Sequence, residues 1–371
     1  MSIFSVLRDG MRQAVPLIRA DAWAYRIICG YAAFGFIFHW VVTGSMHLQN
    51  YANYFEQWIP AFLVLMPLIA LLVDVFCVVH RFDKRRNLAF RQVFRVERLA
   101  YFFSGVYLMM TMVLFMGTFS AIKNTFPVLH GGFPYDRLQA DLDAWLHLGT
   151  DPWRLLYAVG QYDWVRSVLE WNYLSCWFIV CFGALFFVVT SPRTAAIRTR
   201  YVLSFMFAWI LCGNLVAGIF LSAGPAFYGA VTGDHARFAE QLAYLASSDS
   251  PASAVQFHRY LWSLYESGQA GFGSGISAFP SVHVALIAMT AFFAAEHSKR
   301  LGILAFSYVG VILVSTVYLG WHYAIDGYAS LAIVAVCHFA IRRLMTGAPL
   351  WAPRQPAEPQ AAYAGLPDPA H

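Results

Sequence analysis

The sequence predicts an all-α fold, a polytopic bundle of about eight membrane-spanning helices. Three observations carry that expectation. Hydrophobic residues make up 59% of the chain and charged residues only 12%, whereas an ordinary soluble domain carries about 25% charge. Apolar runs of about 20 residues, enough to cross a bilayer, recur along the whole chain. The Lys and Arg residues fall in short clusters between those runs, which is the signature of membrane topology. The net charge of +5 therefore implies no nucleic-acid partner.

Taken in order, residues 1–24 contain Arg8, Asp9, Arg12 and Arg19, which interrupt any apolar core of a cleaved signal peptide. They predict a short amphipathic helix on the cytoplasmic surface, with the first span acting as an uncleaved signal. Spans are expected at 25–43, 59–80, 99–121, 171–190, 200–222, 279–297, 301–320 and 323–342. The sixth has the weakest signal, because Pro-Ser-Val-His opens it and Glu296 and His297 close it. Residues 25–345 thus read as one transmembrane domain with long loops at about 122–170 and 223–278. In the first loop Leu138, Leu142, Trp145 and Leu146 recur at helical spacing and predict an amphipathic helix lying on the membrane. The tail, 346–371, is rich in Pro and Ala, lacks periodicity and reads as disordered. All six cysteines lie in apolar runs without Cys-x-x-Cys spacing and read as free thiols.

Orientation follows from where the basic residues fall. Nineteen of the 25 lie on one side of the predicted spans, including the dense cluster from Arg81 to Arg98, and six lie on the other. Because loops retained in the cytoplasm are enriched in Lys and Arg, both termini are expected there. The two long loops then face the periplasm or its equivalent, as in an integral protein of a bacterial inner membrane.

Two segments carry chemistry. GFGSGISAFPSVHVAL places Pro280, Ser281 and His283 at the start of the sixth span. Proline at an early helical position, after a Ser277 cap, marks a helix N-terminus. The unpaired N–H groups of such an end favour a phosphate. In STVYLGWHYAIDGYAS, His322 and Asp326 are four residues apart, which predicts that they share a helical face. A carboxylate there accepts the N–H of one imidazole nitrogen and leaves the other as a nucleophile. The histidines are separated by enough chain for one helix down and one back, so both return to the same side.

FPSVH followed by HYAID resembles the second and third signatures of the type 2 phosphatidic acid phosphatase (PAP2) superfamily, P-S-G-H and S-R-x5-H-x3-D. The closer similarity is to its inositol phosphotransferase branch, which includes inositol phosphorylceramide synthase. Its Tyr-Leu-x-x-His-Tyr-x-x-Asp stretch is matched by Tyr318, Leu319, His322, Tyr323 and Asp326. The resemblance spans about residues 120–340 and implies a six-helix core shared with that superfamily. It also implies that His322 attacks phosphorus to give a phosphohistidine, Asp326 orients it, and His283 protonates the leaving alkoxide. Ser281 and backbone N–H groups near Gly275 to His283 would hold phosphoryl oxygens, with Pro280, Thr316 and Tyr323 at neighbouring motif positions. The scheme needs no metal or other cofactor, and its partner is a phospholipid or other lipid phosphate in the membrane.

The departures from the superfamily pattern are informative. Its phosphatases use a Lys and an Arg in a first motif and an Arg six residues before the nucleophile; here that last position is Thr316, and LSAGPAFYG has no basic residue. A phosphomonoester carries up to two charges, about −1.5 to −2 near neutral pH, whereas a diester carries one. Fewer basic ligands therefore favour a phosphotransferase with a phosphodiester donor over a lipid phosphate phosphatase. Replacement cations are sought in Lys123, Arg137 and Arg259, of which Lys123 is the candidate ligand and the others read as interfacial anchors. A different class of function, a non-catalytic scaffold or transporter on the same fold, is weighed down by retention of all three catalytic side chains. A haem-binding bundle lacks histidines paired across facing spans. His39, His47, His80, His130 and His147 show no partner at telling spacing. Asp74 and Asn214 are expected to bond between helices, and Trp145, Trp153, Trp171 and Trp321 to form an interfacial belt.

Overall fold

A computed structural model describes residues 3–45, 48–81 and 93–347. His47, Lys84, Arg85, Arg86, Arg91, Arg354 and residues 348–371 of the expected disordered tail lie outside the described residues, whereas Thr346 is the last residue of the final helix. Among the described residues there are helices and no strands, so the protein is an all-helical bundle.

The amphipathic N-terminal segment forms α1 (Ile3–Ala20) and the first span forms α2 (Ala22–Thr43). Next, α3 (Gln49–Ile59) runs through a π segment, Pro60–Leu65, into α4 (Met66–Arg81). The long α5 (Val96–His130) packs against α1, α2 and α3. The first loop folds into α6 (Asp136–Leu146) and α7 (Pro152–Gly160). Then α8 (Asp163–Trp171) continues through the π segment Asn172–Cys176 into α9 (Trp177–Thr190). The return helix, α10 (Ala195–Ile210), extends through a third π segment, Leu211–Val216, and a last turn, Ala217–Ile219. The second loop holds three short helices, α11 (Tyr228–Thr232), α12 (Ala239–Ala246) and α13 (Ala254–Ser267). The chain ends in α14 (Val282–His297), α15 (Lys299–Tyr318) and α16 (Ala324–Thr346).

Among the described residues, seven helical stretches are long and apolar enough to cross a membrane, and between 17% and 56% of each apolar window is buried within the protein. The rest, such as Phe34, Ile37, Trp40 and Val41 on α2, is exposed apolar surface that a lipid solvent covers. The sixth expected span, α14, has 16 residues, roughly 24 Å of helix against about 30 Å of hydrocarbon. It packs against α9, α10, α15 and α16, and Val284 through Met289 are buried. A helix enclosed by its neighbours has no need to match the lipid thickness.

The third span departs from expectation in the other direction. Its 35 residues, roughly 50 Å, overrun the bilayer core, so Lys123 and Asn124 are helical where a loop was expected from residue 122. The reason is packing: Ile122 and Phe126 are buried in a cluster with Phe133, Leu221 and Phe227 outside the main core. A helical segment therefore projects into the loop layer. Asp74 and Asn214 do bond between helices, Asp74 with Arg98 and Asn214 with Tyr31. Trp145 and Trp171 are exposed as a belt requires, whereas Trp153 is buried against Tyr157 in the core formed by the loop helices.

Candidate active site

The two histidines of the sequence motifs meet at one end of the bundle, with ring centroids 6.4 Å apart. His283 lies in the first turn of α14. The cap of that helix is Ser281 rather than Ser277: its Oγ accepts the Val284 N–H at 3.4 Å, and Pro280 precedes the helix instead of opening it. The side-chain cap and the extended backbone at Ser281 leave helical geometry to begin at Val282. Ser281 N–H donates to the Asp326 carbonyl at 3.2 Å, and Ala278 N–H to the Ser222 carbonyl at 2.8 Å. Those two amides are thus spent on the fold. Among the described residues no group takes the N–H of Val282 or His283, which are the orphan donors of a helix start. The ring of His283 is held by Tyr173, stacked at 4.3 Å and 16°, and by Trp177 at 4.0 Å. The Trp177 indole also donates to the His283 carbonyl at 3.1 Å.

His322 is not helical. It sits in the turn between α15 and α16, one residue before the N-cap Tyr323, and its backbone N–H donates to the Thr316 carbonyl at 3.2 Å. Asp326, in the first turn of α16, reaches back like the acidic member of a capping box. Its Oδ2 accepts the Tyr323 N–H at 3.0 Å and faces His322 Nδ1 at 3.2 Å. The pairing expected from a shared helical face thus arises from a helix start instead. With Asp326 ionised, Nδ1 donates and Nε2 keeps its lone pair. Burial, reinforced by the Lys123 charge and opposed by a hydrogen bond to the Ala278 backbone, pushes the His322 imidazole down to about 3. The ring is therefore neutral at physiological pH.

Lys123 lies on α5 with its Nζ over the Phe119 ring at 5.9 Å, and its charge acts on His283 as well as on His322. Gly275 has φ +98°, and a Cβ there would lie 2.9 Å from the Lys123 Cβ, so glycine lets the approach to α14 pack on the lysine stem. Among the described residues Lys123 has no carboxylate partner. Arg137 donates to the Thr232 carbonyl, and Arg259 is exposed on α13. Arg154 pairs with Glu240, Arg166 with Asp163, and Arg237 with Asp141 and Asp151.

Two expected ligands are engaged elsewhere. The Thr316 hydroxyl donates to the Leu313 carbonyl at 2.7 Å within its own helix, a back-bond available to any buried helical threonine. The Tyr323 hydroxyl donates to Asp136 at 2.8 Å. Both residues thus hold the loop that carries His322. Sequence reasoning missed Asp136 and Asp143 on α6, because the helix was read from its apolar side. A signal was present: Asp136, Gln139, Ala140 and Asp143 recur at i, i+3, i+4 and i+7, and all four are buried. Tyr173 and Trp177 had no signal separating them from lipid-facing aromatics.

A model of the PAP2 superfamily matches residues 139–340, more than half of the chain and including both histidines and Asp326. The chain belongs to the PAP2 superfamily. No curated protein and no solved structure matches it. PAP2 membership, with an all-helical membrane-type fold, supports a lipid phosphatase or phosphotransferase class of activity.

Proposed function

We propose that this PAP2 protein is a lipid phosphotransferase that passes a phosphorylated headgroup from a phosphodiester lipid to an alcohol through a phosphohistidine. His322 Nε2 attacks phosphorus, the bond to the donor's lipid alkoxide breaks, and His283 gives that alkoxide a proton. In the second half, His283 takes the proton of the acceptor alcohol, whose oxygen attacks phosphorus while the P–N bond breaks. Atoms balance without water, and each histidine returns to its starting state. A near-attack donor sits ~3–3.5 Å from its nucleophile, so one phosphoryl group fits between rings whose centroids are 6.4 Å apart.

The observation that carries the choice of donor is that Lys123 is the cation acting on the two histidines and, among the described residues, has no carboxylate partner. The Lys123 charge acts on both histidines, while Arg137, Arg154, Arg166 and Arg237 are committed to carboxylates or carbonyls. One ammonium and the N–H groups of Val282 and His283 suit the single charge of a diester better than the double charge of a monoester. Ser281, Pro280 and Gly275 shape the phosphate cradle in this reading, while Thr316 and Tyr323 hold its rim. Inositol phosphate is the specific headgroup favoured by the stretch Tyr318, Leu319, His322, Tyr323 and Asp326. The bias of basic residues puts the site on the non-cytoplasmic face of the membrane.

The test uses purified full-length protein with a headgroup-labelled phosphodiester lipid, and separately with phosphatidic acid, each with and without an added lipid alcohol. Label appearing on the added alcohol supports the proposal. Rapid phosphate release from phosphatidic acid, with no reaction of the diester, would reverse it in favour of a phosphatase.

A further inference from the structure

The loop helix α6 is amphipathic in an unusual sense. Its apolar residues Leu138, Leu142, Trp145 and Leu146 are exposed, while Asp136 and Asp143 point inward and are almost fully buried. Burying a carboxylate is costly unless its oxygens are satisfied, and here each one is, by groups next to the candidate dyad. Asp143 accepts the N–H of Ala324 and of Ile325, both at 3.0 Å, which are the first two donors of α16. Asp136 accepts the N–H of Ala223 at 2.7 Å, that of Gly224 at 2.8 Å and the Tyr323 hydroxyl at 2.8 Å.

These bonds converge on a short stretch of chain. His322 is followed by Tyr323, held by Asp136, by Ala324 and Ile325, held by Asp143, and then by Asp326. On the other side, Gly224 has φ +94°, and a Cβ there would lie 2.7 Å from the Trp321 carbonyl, so the segment held by Asp136 also abuts the residue before His322. His147, one turn beyond Asp143, reaches the Tyr328 hydroxyl of α16 at 3.0 Å. From the membrane bundle, the Thr316 carbonyl accepts the N–H groups of Trp321 and His322 at 3.0 and 3.2 Å, and the Ser281 N–H at the start of α14 reaches the Asp326 carbonyl at 3.2 Å.

We propose that Asp143 and Asp136 are positioning residues, which clamp residues 322–326 from outside the bundle and so set the contact between His322 Nδ1 and Asp326. Their function is to keep one imidazole tautomer, with Nε2 bare and aimed at phosphorus. This rests on the phosphotransferase reading only for its kinetic arm.

The test has two arms. In full-length protein reconstituted in bilayers with 15N-labelled histidine, the ring signals of His322 are those lost in His322→Ala. Wild type is expected to show a protonated Nδ1 and a bare Nε2, and Asp143→Ala a mixture of tautomers. With a reactive phosphodiester, kcat should fall roughly 10- to 100-fold in Asp143→Ala while KM stays within about threefold, as expected for a misplaced nucleophile. Asp143→Asn, whose one carbonyl oxygen still accepts an N–H, should lie between, and it replaces Asp143→Ala if that variant does not fold. A wild-type tautomer in Asp143→Ala, Asp143→Asn and Asp136→Ala would overturn the proposal whatever the activity. Failure of wild type to use any phosphodiester would instead strike the donor assignment, and the spectra would still decide the clamp.

Discussion

The two ends of α14 carry charge in different ways. At its C-terminal end Glu296 meets Arg200, His338 at 2.9 Å and Arg342 at 3.7 Å, and nearby Arg198 meets Asp21. Charge is matched by charge in this cluster. At its N-terminal end His283 faces His322, Lys123 has no carboxylate, and Asp326 keeps Oδ1 without a hydrogen-bond partner. Asp136 and Asp143, close to this end, are satisfied by neutral N–H and O–H donors instead. A membrane protein with ionised groups at both ends of one helix thus shows which set serves the fold: the closed one. The open set is where an anion would complete the charge balance.

Substitutions sharpen that contrast. His322→Ala should abolish turnover of a phosphodiester lipid, by of order 10⁴-fold or more, with the unfolding temperature in detergent close to wild type. Asp326→Asn keeps the shape but can present an amide N–H to Nδ1, favouring the wrong tautomer. A loss in kcat of roughly 10²- to 10⁴-fold is expected from steady-state rates. Lys123→Met removes the ammonium that acts on the two histidines and should lower kcat/KM by about 10²- to 10³-fold, with a larger loss for any monoester than for the diester. Glu296→Gln tests the closed end. It should cost about 1–3 kcal/mol of stability, read as a lowered unfolding temperature, with activity per folded molecule unchanged. If Glu296→Gln reduced turnover as much as Lys123→Met, the division between the two ends would fail.

The smallest effect concerns pH. His322 is held down to about 3, below its unfolded value of 6.5, so its neutral form adds stability that is fully present above 6.5. That contribution is lost as pH falls toward 3. Asp136 runs the opposite way. Burial pushes it up to about 6 from 3.8, against the pull of the Ala223 and Gly224 amides and the Tyr323 hydroxyl. Its contribution is present below 3.8 and lost as pH rises through about 6. Unfolding temperatures measured from pH 7 to pH 4 should therefore decline less in His322→Ala than in wild type, and Asp136→Asn should remove the opposing trend.

Much of the fold was legible because a bilayer demands long apolar helices with internally satisfied backbones, and composition reports that demand directly. The superfamily was legible because FPSVH and HYAID are compact and local. What escaped was set by contacts across the chain. The overrun of α5 to His130 depends on Phe126 and Ile122 finding partners near residue 221, which no local pattern announces. The start of α14 moved because a serine adjacent to the motif, not one upstream, caps it. Asp136 and Asp143 escaped because an apolar stripe draws attention to itself and its polar opposite reads as solvent-facing. In a loop helix pressed between membrane and site, the inward side is the polar one.

The central claim is that His322 forms the covalent intermediate, and acid-base stability of a trapped adduct tests it most directly. Full-length protein is mixed with a phosphodiester lipid labelled in its headgroup, quenched within a turnover, digested and sequenced by mass spectrometry. The account predicts an acid-labile, alkali-stable adduct on His322 that disappears when a lipid alcohol is added. Turnover without any adduct on His322, or an adduct of the same yield in His322→Ala, would contradict it.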